Sequence, residues 1–368
     1  MSEPVRAGER VVVGMSGGVD SSVAAALLVQ AGYDVVGVSM RLSSDVTGSG
    51  CCSFDDFLDA RRVAAQLGIA FYVMDFRDVF ARRVVEPFVA EYLRGRTPNP
   101  CARCNQFVKF ASFWDRAREL GAAWVATGHY ARVLRDPQTG RAQLWSAVDA
   151  TKDQSYFLFG VEPQVLARTL FPVGGLTKAA VRRHARSLGL RVADKPERQE
   201  VCCAPKGAYA GFVARYAGEQ GRPAGGSIVD ATGAVLGTHD GIHRFTIGQR
   251  RGLRLSASQA LYVTGIDPQT GTVHVGARRA TLAQGLRATH PNWLADGPVP
   301  AGTRLQVKIR SRCAPAAVTV EEASADGFAL RADGPLPAVT PGQAAVLYDR
   351  QRVVGGGWIA GTLQPEGA

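Results

Sequence analysis

Val11-Val12-Val13-Gly14-Met15-Ser16-Gly17-Gly18-Val19-Asp20-Ser21-Ser22 is the stretch on which the reading of the chain turns. A short apolar run gives way to two adjacent glycines. A segment of helical character then runs to Ala31 and ends at Gly32, a glycine in the position that closes helices. Strand, glycine turn, helix is the frame in which backbone N–H groups and a helix N-terminus converge on an anion. The glycine pair lets the backbone approach a ligand closely and adopt φ > 0. Ser16, Ser21 and Ser22 add hydroxyl donors. The loop contains no lysine, so it is not a G-x-x-x-x-G-K-[ST] phosphate loop. It suits a pyrophosphate that leaves whole after attack at an α-phosphorus. The plainer alternative is a tight turn with Ser and Asp as helix caps. Asp20 fits either Mg²⁺ binding or capping.

The same alternation continues outward. Apolar strands are expected at 35–40, 71–76 and 124–129, and helices at 54–67, 79–93 and 106–120, two of these followed directly by Gly68 and Gly121. Strands alternating with helices of this length imply a parallel sheet. The register then changes. Residues 133–134 and 144–148 flank DPQTGR and predict a hairpin, with helical segments at 154–159, 164–168 and 178–188. Beyond Gly221 short strands alternate with turns such as DATGA. At 368 residues, two or three domains are expected. The fold class is α/β: one Rossmann-like domain over 1–220, then two small β domains over 221–286 and 287–368.

Apolar residues make up 46% and charged residues 20%, an ordinary globular balance. No apolar stretch reaches the roughly 18 residues of a membrane helix. MSEPVRAGER lacks the apolar core of a signal peptide, so a soluble cytoplasmic protein without a membrane partner is expected. The 43 Lys and Arg exceed the 32 Asp and Glu by 11. Such an excess concerns partners, with nucleic acid foremost. Arg304, Gln306, Lys308, Arg310 and Arg312 alternate with Leu305, Val307 and Ile309, which places a basic stripe on one strand face. No acid occurs from Gly297 to Val320, and Arg244, Arg250, Arg251 and Arg254 form a second acid-free group. A solvated strand face is the default reading. Two basic patches outside the first domain suit a large polyanion.

Seven cysteines occur, an odd number that disfavours a disulfide framework. Cys101-Ala-Arg-Cys104 and Cys202-Cys203 allow a four-thiolate zinc site, although adjacent cysteines seldom face one tetrahedral centre. A redox pair needs two thiols that meet, one with a lowered pKa. Cys104 is expected just before the helix 106–120, where the helix dipole favours a thiolate, with Arg103 and Lys109 nearby. Cys202 follows KPERQE, expected to be a loop. Small buried thiols account for Cys203 and Cys313, and for Cys51 and Cys52.

SGGVDS resembles the signature of the PP-loop ATP pyrophosphatases, which adenylate a substrate oxygen. The longer GMSGGVDSSVAA is similar to that of the tRNA-specific 2-thiouridylases. So are GRTPNPCARCN (95–105), ATGHYAR (126–132), KDQSYFL (152–158), KPERQEVC (195–202), FTIGQRRGL (245–253) and TPGQAAVLY (340–348), in family order along nearly the whole chain. The resemblance implies a PP-loop domain, a central β-rich tRNA-contacting domain and a C-terminal tRNA-binding β-barrel. It implies adenylation of the O2 of a wobble uridine by ATP, with Mg²⁺ screening the phosphates, and replacement of that oxygen by sulfur. ATP would lie against Gly14, Met15, Ser16, Gly17, Gly18, Val19, Asp20, Ser21, Met40 and Gly128. Cys202 matches the persulfide carrier and Cys104 the thiol that acts on it, leaving a transient disulfide. Asn99, Pro100 and Cys101 match residues around the target base. His129, Lys152, Asp153, Gln154, Arg310, Ser311 and Gln343 match tRNA contacts. A cysteine desulfurase or sulfur-relay protein would supply the sulfur. No metal-ligating side-chain set is expected. The chain departs from some relatives at Cys101, where they carry an acid, and at Ser311, where they carry an aromatic. The competing readings are another PP-loop adenylating ligase or amidotransferase, and a non-catalytic RNA-binding protein.

Overall fold

The computed structural model describes residues 8–43, 53–197, 209–218 and 225–363. Strand β1, Arg10–Gly14, occupies the middle of a five-stranded sheet in the order β3-β2-β1-β4-β7. β1 pairs with β2 (Asp34–Arg41) and β4 (Trp124–Thr127), β3 (Ala70–Asp75) flanks β2 and β7 (Thr169–Leu170) flanks β4, and every pairing is parallel. Val11, Val12 and Val13 are fully buried. Both faces of β1 are covered, which is why its sequence reads as an unbroken apolar run and not as an alternation. Val11, Val13 and Met15 pack under the helices Val19–Gln30 and Phe54–Leu67 on one face. Val12, Val36 and Val38 pack against Phe80, Phe88, Val108 and Phe113 on the other. From β1 the chain moves out to β2 and β3, then returns to β4 on the far side of β1. Order reversal of this kind opens a crevice beyond the carboxyl ends of the two central strands.

Residues 77–93 and 100–119 are continuously helical, each with an internal π-helical stretch, Ala81–Val85 and Cys104–Ser112. The second helix therefore starts six residues earlier than the expected 106. Asn99 is its N-cap and Pro100 opens its first turn, with the Asn99 side-chain carbonyl oxygen accepting from the Ala102 N–H at 3.1 Å.

The expected hairpin forms from β5 (Ala131–Arg135) and β6 (Ala142–Ser146), but it does not join the parallel sheet. β6 pairs with β17 (Arg352–Leu363), Leu144 opposite Val353 and Trp145 opposite Arg352. The physical reason is a shared core. Leu144, Tyr156, Leu158 and Phe159 bury against Ala344, Val346, Tyr348 and Val353.

The central four-stranded sheet, β10-β11-β8-β9, combines β8 (Gly226–Val229), β9 (Val235–His239), β10 (Tyr262–Asp267) and β11 (Thr272–Gly276) over its own core of Ile228, Phe245, Val263 and Val273. The last unit is a closed barrel. β12 (Leu282–Trp293), β15 (Gly327–Pro337), β14 (Ala316–Ala323), β13 (Arg304–Lys308), β16 (Ala344–Asp349) and β17 (Arg352–Leu363) pair in that order, and β17 returns to β12. Closure leaves these six strands no open edge. The expected boundary at 286/287 falls inside β12.

Candidate functional site

The crevice beyond β1 and β4 is a cavity of about 440 Å³. Gly17 has φ +70°, and a Cβ there would lie 2.3 Å from the Asp56 carbonyl oxygen. Gly17 is thus required twice, by its backbone and by the helix Phe54–Leu67 pressed against it. Gly18 has an ordinary extended conformation and is the N-cap of the helix Val19–Gln30. Above it is open space, and a Cβ added to it would have Ser16 Oγ, at 3.5 Å, as its nearest neighbour. Gly128 supports the loop from β4, and a Cβ on it would lie 2.5 Å from the Ser21 nitrogen. The hydroxyls of Ser21 and Ser22 donate to the Gly18 carbonyl at 3.2 and 2.9 Å, so they brace the loop.

Asp20 does not cap the helix, and the capping alternative fails. Its carboxylate accepts from the Tyr130 hydroxyl at 2.8 Å and from Lys178 Nζ at 2.7 and 2.8 Å. Lys178 also reaches Glu197 at 2.9 Å, and Glu197 accepts from Lys152 at 2.6 Å. Burial alone would raise the Glu197 pKa, but the hydrogen bonds from Lys152 and Lys178 outweigh it and hold the carboxyl below its ordinary value. Burial, reinforced by the Asp20 charge, raises the pKa of Tyr130 far above the phenol range. Tyr130 therefore keeps its proton and donates it to the Asp20 carboxylate.

Gly14, Met15, Ser16, Gly18, Val19, Asp20, Ser21, Met40 and Gly128 all line the cavity, and Gly17 does not. Pro100, Cys101, Cys104, His129, Lys152 and Gln154 line the same cavity. The C-x-x-C motif and the glycine loop, far apart in sequence, thus face one space. Cys104 lies inside its helix, not before it. Its N–H is engaged by the Pro100 carbonyl and its side chain is buried. The first turn, where the dipole acts, contains Cys101. The π-helical stretch that starts at Cys104 is a distortion often found at functional sites. Cys202 and Cys203 lie outside the described residues, as do Cys51 and Cys52.

His129 follows β4 and is hydrogen-bonded through Nδ1 to Thr127 Oγ1 at 2.7 Å. It packs against Phe110 and Phe171. Desolvation, then the charge of Lys109, lowers its pKa to about 3, so the imidazole is neutral near pH 7. Gln154 Oε1 accepts from the Tyr130 N–H at 2.9 Å. Asn99 and Asp153 are structural in this state. Asn99 caps the helix, and Asp153 accepts from the Ala147 and Ser155 backbones and the Ser155 hydroxyl.

Arg310, Ser311 and Gln343 are elsewhere, in a cavity of about 370 Å³ where the three units meet, together with Thr97, Thr246, Arg312, Cys313 and Thr340. Arg310 donates to the carbonyls of Ile247 and Ala338 and to Thr340 Oγ1 at 2.9–3.2 Å. Gln343 Nε2 donates to the carbonyls of Thr97 and Pro98 at 3.0 and 3.2 Å. The basic stripe also has intramolecular partners that its sequence neighbourhood does not contain. Arg304 pairs with Asp333 at 2.6 Å and Lys308 approaches Asp153 at 4.0 Å. These acids arrive from another strand and from the first domain.

Sequence reasoning missed Tyr130, Lys178, Lys195, Asp56 and Glu197 as members of the site. Lys195 and Glu197 fall within the KPERQE segment, and Lys178 opens a helix. As residue types they look the same as surface charge, and the KPERQEVC likeness is read for Cys202 alone.

A model described as the tRNA methyl transferase HUP domain matches residues 9–206. Models described as the tRNA methyl transferase PRC-barrel domain and the aminomethyltransferase beta-barrel domain match 210–277 and 283–359. The chain is 48% identical over 365 residues to the tRNA-specific 2-thiouridylase MnmA of Solibacter usitatus (strain Ellin6076), covering 95% of this chain and 98% of that one. It is 48% identical over 373 residues to the protein of the same name from Geobacter metallireducens (strain ATCC 53774 / DSM 7210 / GS-15), covering 98% of each. Among solved structures, a U34-tRNA thiolase from Methanococcus maripaludis with its [4Fe-4S] cluster is 15% identical with a TM-score of 0.37, covering 60% of this chain and 69% of that one, a likeness too low to carry an argument. Three domain models in sequence and near-complete alignment at about half identity settle the affiliation: the chain belongs to the family of tRNA-specific 2-thiouridylases.

Proposed function

We propose that the chain replaces the 2-oxygen of the wobble uridine of tRNA with sulfur, at the expense of ATP, in the cytoplasm. The observation that carries this reading is the meeting of the glycine loop with Cys101 and Cys104 in one cavity. The open space above Gly18, the helix N-terminus at Val19 and the apolar wall of Val38, Met40 and Leu42 fit a nucleotide, phosphates at the loop and base toward β2. When bound, ATP supplies the adenylyl group that turns the uracil O2 into a leaving group. The Asp20 carboxylate is already engaged by Lys178 and Tyr130, so no step is assigned to a protein-held Mg²⁺.

The chain's own residues then do the following. The terminal sulfur of a Cys202 persulfide attacks C2 and AMP departs. The Cys104 thiolate attacks the inner sulfur of Cys202, which frees the C2=S product and leaves a Cys104–Cys202 disulfide. Thiol reductant from the sulfur-supply system resets the pair. A cysteine desulfurase or relay protein loads Cys202. Dividing the exchange into two displacements lowers each barrier. Asn99, Pro100 and Cys101 surround the base, and His129 presents a neutral imidazole. Lys152, Asp153, Gln154, Arg310, Ser311 and Gln343 serve the tRNA, the last three from the β domains. In this scheme 1–220 performs the chemistry, while 221–286 and 287–368 hold the RNA.

The test is incubation of the protein with ATP, bulk tRNA and a cysteine desulfurase supplied with cysteine as the persulfide donor, followed by nucleoside mass analysis. 2-Thiouridine is expected, and thiol alkylation should abolish it while ATP binding persists. Unmodified tRNA with the untreated protein would overturn the proposal.

A further inference from the structure

The phosphate loop has no lysine, yet two lysines from distant segments end on it. Lys178 is only 12% exposed and is held by Asp20 and Glu197. Lys195 Nζ donates to the Gly17 carbonyl at 3.0 Å, to Asp56 at 2.9 Å and to Asp59 at 2.5 Å. Both line the cavity beside the glycine loop. Burial alone would lower the Lys195 pKa, but its hydrogen bonds to Asp59 and Asp56 raise it, so the ammonium stays charged.

A departing pyrophosphate carries several negative charges. The dipole at one helix N-terminus offers about half a charge, and the hydroxyls of Ser21 and Ser22 are turned to the loop's own carbonyl. Full positive charge must therefore come from outside the loop. We propose that Lys178 and Lys195 are the cations that bind the β- and γ-phosphates, supplying from two later segments what the loop itself lacks. Their carboxylate partners hold the ammonium groups in place before the nucleotide arrives. Phosphate oxygens then replace one carboxylate at each lysine, at little further cost in side-chain ordering. This proposal rests on the ATP reading above.

The experiment compares ATP, AMP and inorganic pyrophosphate binding to the wild-type chain and to Lys178→Met and Lys195→Met. Each variant should bind ATP about ten-fold or more weakly, the loss typical of a charge-assisted hydrogen bond, while AMP affinity stays within about two-fold. Lys178→Arg and Lys195→Arg should recover part of the ATP affinity. In the wild-type chain, pyrophosphate and ATP should slow reductive methylation of both lysines and AMP should not, a readout independent of any variant's folding. Equal losses for ATP and AMP, or lysine reactivity indifferent to pyrophosphate, would overturn the assignment. Tighter ATP binding by the Met variants in Mg²⁺ would overturn it in another way, by showing that the lysines plug a cation site. If the wild-type chain binds neither ATP nor AMP, the ATP reading fails and this assignment fails with it.

Discussion

Gly17→Ala and Gly18→Ala should behave differently although they are neighbours in one glycine pair. At Gly17, φ +70° forces an alanine into the left-handed region, a cost of about 1–2 kcal/mol. Its methyl would sit 2.3 Å from the Asp56 carbonyl oxygen, and the next contacts are also backbone. Relief requires moving the N-terminus of the helix Phe54–Leu67, and overpacking of this kind costs about 1–3 kcal/mol more. The sum, about 2–5 kcal/mol, corresponds to a fall of about 5–20 °C in the melting of a domain of this size. The shift also drags Asp56, and with it Lys195. At Gly18 the backbone is ordinary and the methyl meets Ser16 Oγ at 3.5 Å. Gly18→Ala should lose at most about 1 kcal/mol through the weaker cap, and its damage should fall on ATP binding. Differential scanning calorimetry and ATP titration separate the two. Wild-type melting for Gly17→Ala, or a larger loss of melting temperature in Gly18→Ala than in Gly17→Ala, would refute the reasoning.

Cys104→Ser and Cys202→Ser should each abolish 2-thiouridine formation and retain ATP and tRNA binding, whereas Cys313→Ser should remain active; nucleoside mass analysis reads all three. Cys101→Ser is the discriminating control, because an inactive Cys101→Ser beside an active Cys104→Ser would reverse their roles. Arg310→Ala should lower the unfolding temperature, since it removes three hydrogen bonds, among them the one to the Ile247 carbonyl, while Thr340 Oγ1 and the Ala338 carbonyl keep each other, and should reduce the salt dependence of tRNA binding by about one counterion. Gln343→Ala should depress the thiolation rate more than tRNA affinity, measured by single-turnover kinetics against filter binding. His129 has a folded pKa depressed below its unfolded value, so the unfolded chain takes up the proton first. Stability should fall as pH drops from about 6.5 toward 3, and His129→Gln should flatten that slope in thermal melts.

The architecture was legible where sequence signals are local. Apolar runs with closing glycines located four of the five strands of the parallel sheet and the helices between them, the two-residue strand Thr169–Leu170 being too short to leave a pattern, and the Ser16–Ser22 string located the crevice. Asn99-Pro100 is also a local signal, a cap followed by a first-turn proline, and reading it places the helix start correctly and moves the dipole from Cys104 to Cys101. What was not legible is pairing across long separations. Leu144 opposite Val353, Lys308 near Asp153 and Lys195 on Gly17 join segments whose sequences contain no trace of the partner. A basic residue looks the same on a strand whether its counterion is a phosphate or an aspartate from another domain. For the same reason the absence of acids near the stripe overstated its availability to RNA.

The segment just before the C-x-x-C is where all three units meet. Gly95 has φ +69°, and a Cβ on it would lie 2.7 Å from Ile266 of the central sheet. The Arg96 guanidinium donates to the Ile359 carbonyl at 3.2 Å. The Thr97 N–H donates to the Pro341 carbonyl at 2.9 Å, and its hydroxyl to Thr246 at 3.1 Å. Gln343 closes on Thr97 and Pro98 from the barrel. Four consecutive residues are therefore fixed by both β domains, and the next two, Asn99 and Pro100, set the start of the helix that bears Cys101 and Cys104. The thiols are placed by the same contacts that hold the two β units against the parallel-sheet domain. Displacing either β domain would pull on this segment through these hydrogen bonds. A loss of rate without a matching loss of RNA affinity in Gln343→Ala is the signature of that linkage. A residue that only gripped RNA would lose both in proportion.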